Sequence, residues 1–133
     1  MADCVFCKIS SKDIGAHTIW EDDKFIAFLD VNPVNPGHVL IIPREHISYI
    51  FDLEEPGYTE IFQVAKKLSL PLKNATEAKR IGLAIEGFGV DHLHLHLVPV
   101  NTGGELNPER AQIADDSDLV RMANTITSHI SDL

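Results

Sequence analysis

Three histidines stand at every second position of "VDHLHLHLVP", residues 90 to 99, with a leucine between each pair. A neutral imidazole near pH 7 is a nucleophile, a proton carrier, a hydrogen-bond donor and a metal ligand. On an extended chain alternate side chains share a face and lie about 6 to 7 Å apart. His92, His94 and His96 would therefore line one face, and Leu93, Leu95 and Leu97 would turn into a core. On a helix the same spacing would scatter the rings by about 200° per step, so only a strand makes them a site. The alternative is a solvent-facing strand that happens to carry histidine. With seven histidines in the chain and three of them inside five residues, the site is the better reading.

A second group of metal-binding atoms lies at Cys4 and Cys7, the two cysteines of the chain. The CxxC spacing fits half of a zinc site, a redox pair or two free thiols. A redox pair belongs at the start of a helix that follows a strand, beside an aromatic residue, and "MADCVFCKIS" offers neither that strand nor that neighbour.

The elements that must carry these residues follow from the apolar pattern. "TIWEDDKFIAFLDV" gives two apolar runs around a polar turn at Glu21 to Lys24, a hairpin signal. "HVLIIP", His38 to Pro43, predicts a third strand bounded by "NPVNPG" and by Pro43. Tyr58, Ile61, Phe62, Ala65 and Leu68 recur at helical spacing, with Asp52, Glu54 and Glu55 ahead and Pro71 behind. "RIGLAIEG" and "HLHLHLVPV" supply two more strands joined by the glycines of "EGFGVD". After "NTGGELNPE" a second helix is expected from Asp116 to Ser131, capped by Asp116 or Ser117, because Leu119, Met122, Ala123, Ile126 and Ile130 share a face. The expected class is α+β: a five-stranded antiparallel sheet with one helix between strands three and four and a C-terminal helix.

Length and charge set the outer bounds. With 133 residues and 44% hydrophobic content, one domain over residues 1–133 is expected, with its core in 3–100 and a C-terminal extension in 101–133. A formal charge of −9 argues against coating nucleic acid phosphates, which takes clustered Lys and Arg. No run of roughly 18 apolar residues suggests a membrane span, and the N-terminal residues lack a signal peptide's basic and apolar regions, so a cytoplasmic protein is expected.

The run from His92 to Val98 resembles the signature of the histidine triad (HIT) family of nucleotidyl hydrolases and transferases. "CVFCKI" and "WEDDKFIAFLDVNPVNPGHVLIIPREHI" resemble further segments of that family in the right order, so the resemblance covers most of residues 3 to 100. It implies a HIT-like fold and a homodimer. It also implies a nucleophile at His94, which attacks the α-phosphorus of a nucleoside 5′-phosphate derivative to form a covalent nucleotidyl-histidine. The backbone carbonyl of His92 would orient His94, and His96 would donate to a non-bridging phosphate oxygen. His96 favours hydrolysis over transfer, because a transferase relative has Gln at that place.

In the zinc-bearing branch of the family, Cys4 and Cys7 would be joined by His46 of "PREHI" and by His92. Four protein ligands would make a structural Zn²⁺ with no open position. The alternative is that these histidines only hydrogen-bond. The resemblance places a ribose-binding carboxylate at Asp30, with Val5, Phe6, Ile9 and Phe28 as the slot for a purine and Val31 beside the sugar. Without it Asp30 reads as a turn residue and the apolar five as core. His38 is expected to be a structural hydrogen-bonding residue, and His17 and His129 to lie at the surface.

The chain departs from the pattern in "AIEGFGVDHLH", where Ile85 replaces an Asn, Gly89 replaces a hydroxyl residue and the loop is shortened. Side-chain help for the leaving group is thereby lost, a form of assistance worth roughly 10² to 10⁴ in rate. Adenylates and phosphoramidates are therefore expected to be better substrates than dinucleoside polyphosphates. Two other functions stay open: a nucleotide-binding module without turnover, and a structural protein whose triad itself holds metal.

Overall fold

A computed structural model describes residues 4–130. Two short hairpins build the sheet outward from the histidine strand. β1 (Thr18–Glu21) and β2 (Phe25–Leu29) meet across the polar turn, where Asp22 Oδ1 accepts from the backbone N–H groups of Lys24 and Phe25. β3 (Val39–Pro43) pairs with β2 in the register Phe25 to Pro43 and Leu29 to Val39. β4 (Arg80–Ala84) and β5 (Leu95–Val100) form the second pair, and β5 lies against β3, giving the order β1-β2-β3-β5-β4. Every pairing is antiparallel, as the sequence predicts.

The two faces of this sheet carry different residues. One holds Leu93, Leu95 and Leu97 with Phe25, Ala27, Val39 and Ile41, all buried. Against it lie α2 (Gly57–Thr76), through Ile61, Val64, Ala65, Leu68 and Leu72, and α3 (Asp116–Ser128), through Leu119 and Ile126. The opposite face holds Ile26, Phe28, Leu40 and Ile42, and there Phe6 and Ile9 of a short helix, α1 (Val5–Ser10), pack onto it. His94 and His96 are on that second face, where Phe6 of α1 packs against the His94 ring.

Several boundaries differ from the sequence reading. α2 does not stop before Pro71 but runs through it to Thr76. The helix loses one backbone hydrogen bond at Pro71, and the burial of Pro71 and Leu72 against the sheet outweighs that loss. α1 was not expected: it is a single turn and a half, started by Cys4, whose Sγ accepts from the N–H of Cys7. α3 starts after Asp115, not after a capping Asp116 or Ser117, and no side chain caps it. Its end at Ser128 precedes the expected Ser131, which falls outside the described residues together with 1–3. The β5 ladder begins only at Leu95, so His92, Leu93 and His94 continue the alternation ahead of it, with Leu93 buried and its N–H donating to the carbonyl of Ile47.

Candidate active site and metal centre

Each histidine of the triad is held by a different partner, and each partner fixes which ring nitrogen carries a proton. Nδ1 of His94 lies 2.7 Å from the backbone carbonyl of His92. A carbonyl only accepts, so Nδ1 carries the hydrogen and Nε2 keeps its lone pair. The ring is 5% exposed and sits edge-on to Phe6, with a centroid separation of 5.2 Å. Packing and the single hydrogen bond leave His94 Nε2 as a bare nucleophilic atom.

His96 is organised through His38, which is a structural hydrogen-bonding residue as expected but whose partner the sequence does not indicate. The backbone N–H of Val34 donates to Nδ1 of His38 at 3.1 Å, so the His38 proton sits on Nε2. That Nε2 lies 2.8 Å from Nδ1 of His96 and donates to it, which leaves the His96 proton on its own Nε2. Burial pushes the His38 imidazole down to about 4, with His96 and His94 adding to the effect and Asp30 opposing it. Burial, then the neighbouring His94, also lowers His96. Both rings are therefore neutral at pH 7. His96 presents one N–H donor beside the lone pair of His94, their centroids 5.1 Å apart. His38 and His96 lie 58 residues apart, and only the pairing of β3 with β5 brings them together.

The groove in front of these rings has a volume of about 750 Å³. Val5, Phe6, Ile9, Phe28 and Val31 all line it, as do Asp30, His94 and His96. Phe6 meets Phe28 edge-on at 5.6 Å, which sets one wall. Asp30 follows β2 directly, and its Oδ1 accepts from the N–H of Asn32 at 2.8 Å. That is the turn role expected without the resemblance, and it coexists with a place in the groove, since Oδ2 stays clear of that bond. Among the described residues no lysine or arginine lines the groove. The loop before the triad contributes Phe88, Gly89 and Val90, whereas Ile85 turns away and packs on the main core.

Behind this site four other donors converge. Sγ of Cys4 is 3.3 Å and Sγ of Cys7 3.5 Å from Nδ1 of His92, and Sγ of Cys7 is 3.2 Å from Nδ1 of His46. The four ligand atoms lie within 4.8 Å of one another. Nε2 of His92 is 2.8 Å from the carbonyl of Pro43 and must donate to it, so Nδ1 presents a lone pair to the sulfurs. Tetrahedral zinc with two sulfurs and two nitrogens sets each S···N separation at about 3.5 Å. The donor set and its spacing fit Zn²⁺, and the Pro43 carbonyl is the outer partner that orients such a ligand. Burial, then the hydrogen bond and charge of Cys4, raises the Cys7 thiol, a repulsion that a cation between the sulfurs relieves.

Among known proteins, a family model described as the HIT domain matches residues 11–103. The chain belongs to the HIT family. A HIT-like protein of Borreliella burgdorferi is 36% identical over 106 residues, covering 74% of this chain and 76% of its own. The adenosine 5′-monophosphoramidase of Schizosaccharomyces pombe is 34% identical over 98 residues, covering 72% of this chain and 73% of its own. The crystal structure of a Zn-bound histidine triad family protein from Mycobacterium smegmatis superposes with a TM-score of 0.85 at 26% identity, over 98% of this chain and 95% of that one. These likenesses establish the HIT fold and membership of the family.

Val5, Phe6, Ile9, Phe28, Asp30, Val31, His94 and His96 come together along one groove, and Cys4, Cys7, His46 and His92 in one cluster behind it, with His92 joining the two. Its imidazole faces the cysteines while its carbonyl holds His94. His129 is exposed, as expected. His17 is half-buried rather than fully exposed: it lines the groove and pairs with Asp116.

Proposed function

We propose that this HIT protein hydrolyses purine nucleoside 5′-phosphoramidates and adenylates through a covalent intermediate on His94. The observation that carries the reading is the paired tautomers: a lone pair on His94 Nε2 and an N–H on His96 Nε2, side by side in the groove. Nε2 forms a bond to the α-phosphorus as the P–N bond to the leaving amine, or the P–O bond to the leaving carboxylate, breaks. The positive charge gained by His94 is met by the His92 carbonyl through Nδ1–H, and the His96 N–H donates to the phosphoryl oxygen. An amine leaving group takes its proton from solvent and a carboxylate leaves as the anion, and water then displaces His94 to release the nucleoside monophosphate. Asp30 accepts from the ribose hydroxyls, and the apolar wall of Val5, Phe6, Ile9, Phe28 and Val31 receives the base.

Cys4, Cys7, His46 and His92 would hold a structural Zn²⁺. Bound there, the ion ties α1 to the strand that carries the nucleophile and leaves no open position for catalysis. A homodimer is part of the same proposal, and the free edge of β4 gives a second copy a place to pair. No described helix is long and apolar enough to cross a membrane.

A second reading, nucleotide binding without turnover, draws support from the loop, where Ile85 faces the core and Gly89 offers no side chain. Release of AMP from adenosine 5′-phosphoramidate by wild type and by His94→Ala separates the two. The proposal expects release that disappears with the substitution. AMP binding by folded protein with no release would favour the second reading.

A further inference from the structure

One end of the groove is closed by residues that the triad chemistry does not use. The polar side chains lining the groove are His17, Asp30, Asn32, His94, His96 and Asp116. Asp30, His94 and His96 have roles in the proposed reaction and Asn32 donates its backbone N–H to Asp30, which leaves His17 and Asp116. His17 Nε2 lies 3.0 Å from Asp116 Oδ1, and the His17 side chain is 21% exposed. Asp116 opens α3, which begins beyond the residues matched by the HIT family model.

Backbone bonds fix where this pair stands. The N–H of Leu29 donates to the carbonyl of His17, so His17 sits beside the end of β2. On the far side of Asp30, the N–H groups of Ala114 and Gln112 donate to the carbonyls of Val31 and Pro33. The segment leading into α3 is thus laced to the turn that follows Asp30. Buried Leu119 and Ile126 hold the helix itself against the main core. The pair and the nucleophile stand at opposite ends of the groove: β1 and β5 are three strand spacings apart, about 14 Å. Phosphate, ribose and base fit that span in a row, with Val5, Phe6, Ile9, Ile14 and Phe28 between.

We infer that Asp116, held by His17, reads the 6-amino group of a purine and makes this site selective for adenine over 6-oxopurines. The inference rests on the groove being the nucleoside site. Oδ1 is engaged by His17, which leaves Oδ2 of this groove-lining carboxylate as a group that only accepts. A 6-amino group supplies an N–H to it. A 6-oxo group sets a second acceptor against it, and the two lone pairs repel. Because Asp116 is largely exposed, discrimination is modest, of the size of one net hydrogen bond or about tenfold.

The test compares adenosine and inosine 5′-phosphoramidates, read as kcat/KM, on wild type, Asp116→Ala and Asp116→Asn. Wild type should favour adenosine by about tenfold, and Asp116→Ala should bring the ratio to within about twofold of unity with the loss carried by KM. Asp116→Asn can donate to O6, so inosine should gain on adenosine. A wild-type ratio near one, or a ratio indifferent to both substitutions, overturns the inference. Calorimetric binding of AMP and IMP reads the same ratio without turnover, so failure of hydrolysis leaves the inference testable. If neither nucleotide binds, the nucleoside reading of the groove and the inference fall together.

Discussion

Acid should destabilise this protein through His38, and the amount follows from its surroundings. Buried beneath the sheet's end, its imidazole is held at about 4 against an ordinary 6.5. The folded state resists a proton that the unfolded chain accepts, so between those values the unfolded state binds more protons. Stability is therefore complete above about pH 6.5 and falls as pH drops toward 4. At about 1.4 kcal/mol per unit, the full effect is about 3 kcal/mol. Protonation also abolishes the acceptor at Nδ1, which faces the Val34 N–H. Urea unfolding from pH 7.5 to 4.5 on wild type and His38→Gln measures this directly. The other ionisable groups are common to both proteins, so the difference between the curves reports on His38. Wild type should lose about 2.5 kcal/mol more than the variant across that range, most of the full effect. Parallel curves would refute the assignment of His38 as a buried neutral donor to His96.

Gly37 adopts φ +90°, and a Cβ there would lie 2.7 Å from Cγ2 of Thr76 and 3.1 Å from Cγ of Pro99. Gly37→Ala should therefore cost about 1 to 3 kcal/mol, seen as a lower urea midpoint with the same slope. Zinc removal by a chelator should lower Tm by about 10 °C if free zinc had stood near 100 times its Kd, and Cys4→Ser should remove most of that response. Total metal analysis of protein purified without added zinc should show one equivalent per chain, and an unchanged Tm in the chelated protein would count against the site. Asp30→Ala should reduce kcat/KM about ten- to a hundredfold, mainly through KM, and should erase the preference for ribose over 2′-deoxyribose in steady-state assays.

What could be read in the sequence was local or periodic. The hairpin, β3 and the inward leucines of the triad strand follow from alternation and turn residues, which the backbone obeys over a few residues. The limits of α2 and α1 do not, because they are set by burial: Leu72 beyond Pro71 is fully covered, and α1 exists to press Phe6 and Ile9 onto Ile26 and Leu40. The triad, the cysteines, His46 and Asp30 were legible as motifs, and the resemblance supplied their roles. His38 was legible as a residue but not as a donor to His96, since that depends on strand pairing across 58 positions. His17 gave no signal at all, because its partner Asp116 comes from the C-terminal helix, 99 residues away. Long-range polar partnerships leave no period in a chain, whereas apolar faces do.

The central claim is that His94 Nε2 takes the nucleotidyl group, and the most direct measurement is intact mass of acid-quenched protein after brief mixing with adenosine 5′-phosphoramidate. Wild type should gain the mass of one adenylyl group, mapped by peptide analysis to His94 and absent from His94→Ala. AMP release by wild type with no adduct at any quench time, or with the same rate in His94→Ala, would contradict the account.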